Sequence, residues 1–265
     1  MLTRNLNLVE LGPTYQGQEP FPSICLDGFL DPDFALRVAQ SYPDYQQAAQ
    51  VGRSFSARNE KRKAFIADPN QFPGAVRELS DLLASPLFIA QLETLTGIEN
   101  LLWDPHFFGG GMHLTASSGW LDVHVDFNLL VDAGLHRRIN LLLYLNETWQ
   151  EEWGGAVELW NESVTECAHT YEPALNRCVI FSTSSRSFHG VTPVVCPAGV
   201  SRNSFAVYYY TKEAPPEWDG KFHDTTFRAR PHEYAKQRWM PAVDLKRKVG
   251  ETFQNARYQL GRLRR

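Results

Sequence analysis

Leu121-Asp122-Val123-His124-Val125-Asp126-Phe127 alternates apolar and polar side chains along its whole length, the period-two pattern of a half-buried β-strand. On that pattern the His124 imidazole and the Asp126 carboxylate leave the strand on one face, and Val123, Val125 and Phe127 leave it on the other. Two metal-ligand types then point the same way. With eight His in 265 residues, an H-x-D match arises by chance about 0.4 times, so an incidental surface His and Asp is an equal alternative for the tripeptide alone.

The surroundings extend the pattern. From about Leu101 to Thr211, short β-type runs are separated by Gly, Asn, Ser and Pro clusters. Strands are expected at Met112 to Thr115, Leu121 to Phe127, Arg138 to Leu145 and Ala156 to Trp160. Four more are expected at Cys167 to Tyr171, Arg177 to Phe181, Phe188 to Thr192 and Arg202 to Thr211. Eight short strands suggest a jelly roll or barrel. In the run from Arg138 to Asn146, Asn140 and Tyr144 share one face, while Ile139, Leu141, Leu143 and Leu145 form a face that packs under helices. A Tyr hydroxyl facing the interior needs a partner, and a bound carboxylate or the backbone would each supply one.

The expected strand Phe188 to Thr192 carries a second imidazole, His189. Two His and one carboxylate occupy one triangular face of an octahedral metal and leave the opposite positions open, the arrangement of non-haem Fe(II) oxygenases. A structural zinc site prefers four closed ligands, often thiolates, and no cysteine has local ligand spacing with these residues. Arg202 and Ser204 share a strand face further on. A guanidinium beside a hydroxyl suits the carboxylate of a dicarboxylate co-substrate, although an Arg at a strand start is commonly a solvated edge residue.

Taken in order, His124-x-Asp126, Leu143-Tyr144-Leu145-Asn146, Trp153-Gly154-Gly155, His189 and Arg202-x-Ser204 resemble the prolyl 4-hydroxylase-like branch of the Fe(II)/2-oxoglutarate-dependent dioxygenases. The resemblance covers roughly Met112 to Thr211. It implies a double-stranded β-helix in which His124, Asp126 and His189 bind Fe(II) and act in catalysis. It also implies that Arg202, Ser204 and Tyr144, with Asn140, hold 2-oxoglutarate. The implied reaction consumes O2 and hydroxylates an aliphatic carbon of a peptide, amino acid or other small metabolite, with succinate and CO2 as co-products. Asp126 favours hydroxylation over halogenation, because related halogenases lack that carboxylate.

The chain departs from the pattern in two places. The interval from His189 to Arg202 is somewhat long, which places Cys196-Pro197-Ala198-Gly199 in a turn between the two strands. Relatives often carry a co-substrate Tyr on the strand before H-x-D, whereas this chain offers His113, Leu114 and Thr115. His113 is open to two readings, a pocket residue or a satisfied core histidine. Trp120 and Asn128 flank the expected pocket mouth as candidate substrate contacts. The alternative to the hydroxylase is a cupin-like metal isomerase or a non-catalytic metal-binding β-sandwich, which leaves Arg202, Ser204 and Tyr144 unexplained. The run Gly109-Gly110-Gly111 lacks a phosphate-loop pattern and reads as a tight bend entering the core.

The fold class expected is mainly β with flanking α. Residues 1–100 form an N-terminal helical support region, 101–215 the catalytic core and 216–265 a basic C-terminal helical extension, in a single structural domain. Helices are expected after Asp31-Pro32, Asp68-Pro69 and Ser85-Pro86, each a cap followed by Pro at the first helical position. The last carries Leu87, Ile89, Leu92 and Leu95 as its apolar face and Gly97 as its left-handed end. Gln46 to Lys63 reads as a surface loop, in which Arg53, Arg58, Lys61, Arg62 and Lys63 are solvated or meet an anionic substrate.

The 265 residues carry 26 Lys plus Arg and 30 Asp plus Glu, an ordinary globular composition. The balance hides an asymmetry. After Gly220 there are 12 basic and 4 acidic side chains, a balance of +8, against 14 basic and 26 acidic before it, a balance of −12. Leu245, Val249, Phe253, Ala256, Leu260 and Leu263 form an apolar stripe on the extension. That stripe favours docking on the protein's own body or a homodimer through the C-terminal helix over nucleic acid, which is not expected. No apolar run approaches the length of a membrane span. Residues 1 to 20 show no leader, and Cys25, Cys167, Cys178 and Cys196 form no C-x-x-C pair. Reduced thiols in a cytoplasm are therefore expected.

Overall fold

The computed structural model describes residues 2–3, 7–56 and 59–262. In chain order, α1 (Gly12–Gln16) leads to β1 (Ser23–Leu26), then α2 (Pro32–Gln40), α3 (Tyr45–Val51), β2 (Arg53–Ser56) and β3 (Glu60–Ile66). Helices α4 (Gly74–Ala84) and α5 (Pro86–Thr96) precede the main β region. That region contains β4 (Leu102–Trp103), β5 (Gly111–Val125), β6 (Leu129–Leu130), β7 (Leu135–Tyr144), β8 (Val157–Trp160) and β9 (Cys167–Tyr171). It continues through β10 (Cys178–Ser182), β11 (His189–Val191) and β12 (Ser201–Thr211), and the chain closes with β13 (Thr226–Arg228) and α6 (Tyr234–Arg262).

The strands join in the order β1-β10-β7-β12-β5-β11-β8-β9, with β3 and β13 also on β5. This is a mainly β, nearly closed antiparallel barrel, the double-stranded β-helix. The two strands expected at Met112 to Thr115 and Leu121 to Phe127 are the ends of one 15-residue strand, β5. It bends through Ser118 at φ 65° and stops at Val125, so Asp126 lies just beyond the ladder. On the outer face, Ile139, Leu141, Leu143 and Leu145 share a core with Val76, Leu79 and Leu83 of α4 and Phe88 and Leu92 of α5. Burying such aliphatic faces contributes about 1.5 to 3 kcal/mol per fully buried side chain.

Three expectations are corrected. The supposed surface loop Gln46 to Lys63 holds α3, β2 and the start of β3. Asp44 and Gln47 form a reciprocal capping box that starts α3, and buried Ala64 and Ile66 fasten β3 to β5. Of its basic residues, Arg58 lies outside the described residues. In α5, Ser85 caps the helix and Gly97 ends it at φ 71° as expected, but Leu87 is 73% exposed and Phe88 takes the core position. Asp68-Pro69 opens a short 3-10 turn at Pro69–Gln71 rather than α4 itself.

A further correction concerns α6. Phe253 is 73% exposed and Ala256 is exposed as well, so these members of the apolar stripe do not face the protein's own body. Leu245, Val249, Leu260 and Leu263 lie outside the described side chains. The described part of the docked face mixes apolar contacts, buried Met240 and the Tyr258 ring against Trp218, with polar ones. Asn255 accepts from the Phe222 amide at 2.6 Å and donates to the Phe222 carbonyl at 2.9 Å, and Glu251 accepts from the Asp224 amide at 2.9 Å. Main-chain groups of an irregular segment need partners, and this face supplies them. Among the described residues no helix is long and apolar enough to cross a membrane.

The two faces of α6 should respond differently to substitution. Asn255→Ala is expected to lower stability by about 1 kcal/mol or more, while Phe253→Ser stays within about 0.5 kcal/mol of the parent. Urea midpoints at matched m-values measure both.

Candidate metal centre

His124 near the end of β5 and His189 at the start of β11 are register partners, which brings their rings to 4.3 Å between centroids. The His124 Nδ1 lies 2.9 Å from the Asp122 carbonyl and the His189 Nδ1 lies 3.0 Å from the Ser187 carbonyl. A carbonyl only accepts, so both Nδ1 atoms carry the proton and both Nε2 lone pairs are left for the site. Asp126 completes the group, and one ligand atom from each residue lies within 4.8 Å of the others.

The carboxylate is oriented by its neighbours. Asp126 Oδ2 accepts from Asn140 Nδ2 at 2.7 Å and pairs with the Arg137 guanidinium at 3.2 Å. Asn140 Oδ1 in turn accepts from Arg137 Nε at 3.0 Å. The guanidinium is stacked 3.5 Å from the Tyr208 ring centroid and 4.8 Å from that of Phe127. Oδ1, 3.6 Å from His124 Nε2, has none of these donors. Burial opposes the Asp126 charge, but Arg137, His189 and His124 outweigh it and hold the carboxyl well below its ordinary value. Burial, helped by His124, lowers His189 to about 4. An anionic carboxylate and neutral imidazole are the forms a divalent cation binds.

A cavity of about 260 Å³ adjoins the three residues. Its wall includes Ser204 and Arg202 of β12 with their β5 register partners His113 and Thr115, whereas Tyr144, the β7 partner of Ser204, does not line it and packs in an apolar cluster with Val157 and Phe181. Arg202 is 5% exposed, and among the described residues no carboxylate lies within ion-pair distance of it. Its Nε donates to the Gly155 carbonyl, and its guanidinium carbon sits 4.9 Å from the Tyr144 ring centroid. The Tyr144 hydroxyl is buried without a partner at hydrogen-bonding geometry, and burial pushes it up to about 12. A buried cation without an acid partner, facing a cavity, fits a carboxylate. The Gly154-Gly155 pair is required here: both have positive φ, and a Cβ would stand 2.2 Å from the Pro193 carbonyl at Gly154 and 2.9 Å from Arg202 Cδ at Gly155.

Residues 110–210 match the family model described as the 2OG-Fe(II) oxygenase superfamily. The chain carries a 2OG-Fe(II) oxygenase domain. Its fold is similar to a prolyl hydroxylase from Trichoplax adhaerens solved with a hypoxia inducible factor peptide, at TM-score 0.55 and 18% identity over 77% of this chain and 90% of that one. A Pseudomonas putida prolyl-4-hydroxylase gives TM-score 0.53 and 18% identity over 78% and 100%. A prolyl 4-hydroxylase from Phytophthora capsici gives 0.53 and 16% over 97% and 78%. No curated protein matches the sequence. The family is that of dioxygenases using Fe(II), 2-oxoglutarate and O2, and the donor set found here, two imidazoles and one carboxylate, fits that metal.

Within the oxygenase domain the sequence-expected residues divide. His124, Asp126, His189, Arg202, Ser204, Trp120 and His113 line the cavity. Asn140 lines it too, but its amide is spent on Asp126 and Arg137 rather than left for a co-substrate. Asn128 does not line it, because its side chain holds the Lys221 carbonyl and the His223 amide. His113 donates through Nε2 to the Gly109 carbonyl at 3.1 Å. Burial, with Lys63 and Arg202 nearby, keeps its pKa well below the ordinary value.

Sequence reading missed Arg137 for a definite reason. The β12–β7 register shifts between Tyr209 and Tyr210, which pair with Ile139 and Arg137. This β-bulge at Arg138 reverses the alternation and puts Arg137 on the face of Asn140. Also missed were Glu60 from β3, and Thr225 and Phe227 from the C-terminal extension, all on the cavity wall; Lys63, read from the sequence as solvated or meeting an anionic substrate, lines it as well. Phe227 lies 5.5 Å from the His124 ring, so the extension is part of the pocket and not an accessory cover.

Two outcomes follow. Asn140→Ala, which removes the shorter bond to Asp126 Oδ2, is expected to weaken Co(II) binding about 10- to 100-fold, read by absorbance titration. His113 stays neutral in the fold while an unfolded chain takes up a proton below about pH 6.5, so its contribution costs stability as pH falls through that value. His113→Leu should therefore lose less of its urea midpoint between pH 7 and pH 5 than the parent.

Proposed function

We propose that the enzyme hydroxylates an unactivated aliphatic carbon of a peptide, amino acid or other small metabolite, with His124, Asp126 and His189 as the Fe(II) ligands and Arg202, Ser204 and Tyr144 as the 2-oxoglutarate anchor. When bound, Fe(II) with 2-oxoglutarate supplies the oxidation of a C–H bond by O2, giving the alcohol, succinate and CO2. The observation that carries this reading is the buried, acid-free Arg202 guanidinium sharing one cavity with the two-His, one-carboxylate group.

The chain's own side chains do the positioning. Nδ1 bonds to main chain orient both imidazoles, and Asn140 with Arg137 fixes the Asp126 carboxylate, whose Oδ1 lies 3.6 Å from His124 Nε2 and whose Oδ2 lies 3.4 Å from His189 Nε2. Arg202 and Tyr144 fix the far end of a dicarboxylate by charge-assisted bonds. Retention of Asp126 supports hydroxylation over halide transfer. Trp120 lines the cavity with its indole N–H buried and unpartnered, which supports a substrate that brings an acceptor such as a carbonyl. The four cysteines are free thiols, which supports a reducing, cytoplasmic compartment.

Anaerobic addition of Fe(II) and 2-oxoglutarate should produce a visible metal-to-ligand charge-transfer band, weakened in Asp126→Ala. A metal-loaded protein that shows no band overturns the proposal. Arg202→Ala is expected to raise the 2-oxoglutarate requirement for succinate formation by about 30-fold or more, from the loss of about 2 to 5 kcal/mol for a buried charge pair.

A further inference from the structure

We infer that Arg230, in the C-terminal extension, is a positioning residue for the two histidines of the metal centre; the inference rests on the ligand assignment proposed above. The strands that carry His124 and His189 are not held by a regular ladder. His189 pairs with His124, but two residues later Val191 pairs with Leu121, so the register slips between them. A β-bulge interrupts the hydrogen bonds that set strand spacing, and this one lies immediately beside both imidazoles.

The Arg230 guanidinium fills the interruption. Its NH2 group donates to the Val191 carbonyl at 3.1 Å and reaches the Leu121 carbonyl at 3.5 Å, one on each strand of the slipped pair. Its Nε donates to Glu158 Oε2 at 2.8 Å, and Glu158 is the β8 register partner of Gly190. One side chain thus ties β5, β11 and β8 together behind the metal centre. Gly190 makes room for it: a Cβ there would stand 3.1 Å from Arg230 NH2 and 3.1 Å from Val123 Cα. The planar fork of Arg matches three acceptors at fixed angles, which an ammonium does not.

The same node reaches His124 by a second path. Asp122, whose carbonyl orients the His124 ring, is 0% exposed and its carboxylate is held by Lys236, with Arg230 NH1 at 3.9 Å. Both cations lie beyond the family match at residues 110–210.

Removing Arg230 alone strands the Glu158 carboxylate, which is 8% exposed, so Arg230→Met is a poor test on its own. The paired variant Glu158→Gln with Arg230→Met removes both charges and keeps their volumes. Co(II) titration of this variant, with the Co(II) absorption spectrum and the urea midpoint, separates positioning from folding. The expected result is a protein whose urea transition remains cooperative, but whose Co(II) affinity falls about 10-fold or more and whose cobalt bands shift. Arg257→Ala, which breaks the exposed pair with Asp132, is the control and should leave affinity unchanged. A folded paired variant with parental Co(II) affinity and spectrum overturns the inference. A parent chain that takes up no Co(II) overturns the ligand assignment itself and the inference with it, a result read without any variant.

Discussion

Both imidazoles donate a hydrogen bond from Nδ1 to the main-chain carbonyl two residues earlier, Asp122 for His124 and Ser187 for His189, and the rest of the site depends on that constraint. Each bond selects one tautomer and one ring angle without recruiting another side chain. A divalent cation held by two Nε2 lone pairs would then require a counter-charge. Asp126 provides it, stepping off the end of β5 where no ladder partner competes for its position. The clamp of Asn140 and Arg137 on Oδ2 follows from the same geometry, since a carboxylate beyond its strand needs donors from elsewhere to stop it rotating.

What the sequence made legible was whatever depends on neighbours along the chain. The shared face of His124 and Asp126, the leucine face of β7 and the caps at Asp31 and Ser85 are local, and each is found where its pattern placed it; Phe127 is not, because β5 ends at Val125 and the ring lines the same cavity as His124 and Asp126. Arg202, Ser204 and Tyr144 were legible because strand parity puts them inward and pairing then aligns them. Arg137 was hidden because a one-residue bulge at Arg138 reverses parity, and bulges leave no mark in composition. β3 was hidden for a different reason. Its polar residues outnumber its apolar ones, and only Ala64 and Ile66 are fully buried, so the strand exists by pairing with β5 and not by its own pattern.

The basic extension shows how a charge count and a structure answer different questions. Its +8 balance against a −12 body suggested folding back, and its described residues do fold back, with Phe253 and Ala256 of the apolar stripe left exposed. The attraction is concentrated where water is excluded. Arg230 and Lys236 meet Asp122 and Glu158 behind the β5 and β11 ladder, while the exposed Arg257–Asp132 pair adds little in high dielectric. Buried pairs of this kind rarely add net stability over an apolar contact, because desolvation offsets the attraction. Their value is positional: a buried acid accepts few partners, so the extension can seat in only one place. Seating it there brings Thr225 and Phe227 onto the cavity wall, which makes the extension's charge part of how the active pocket is closed.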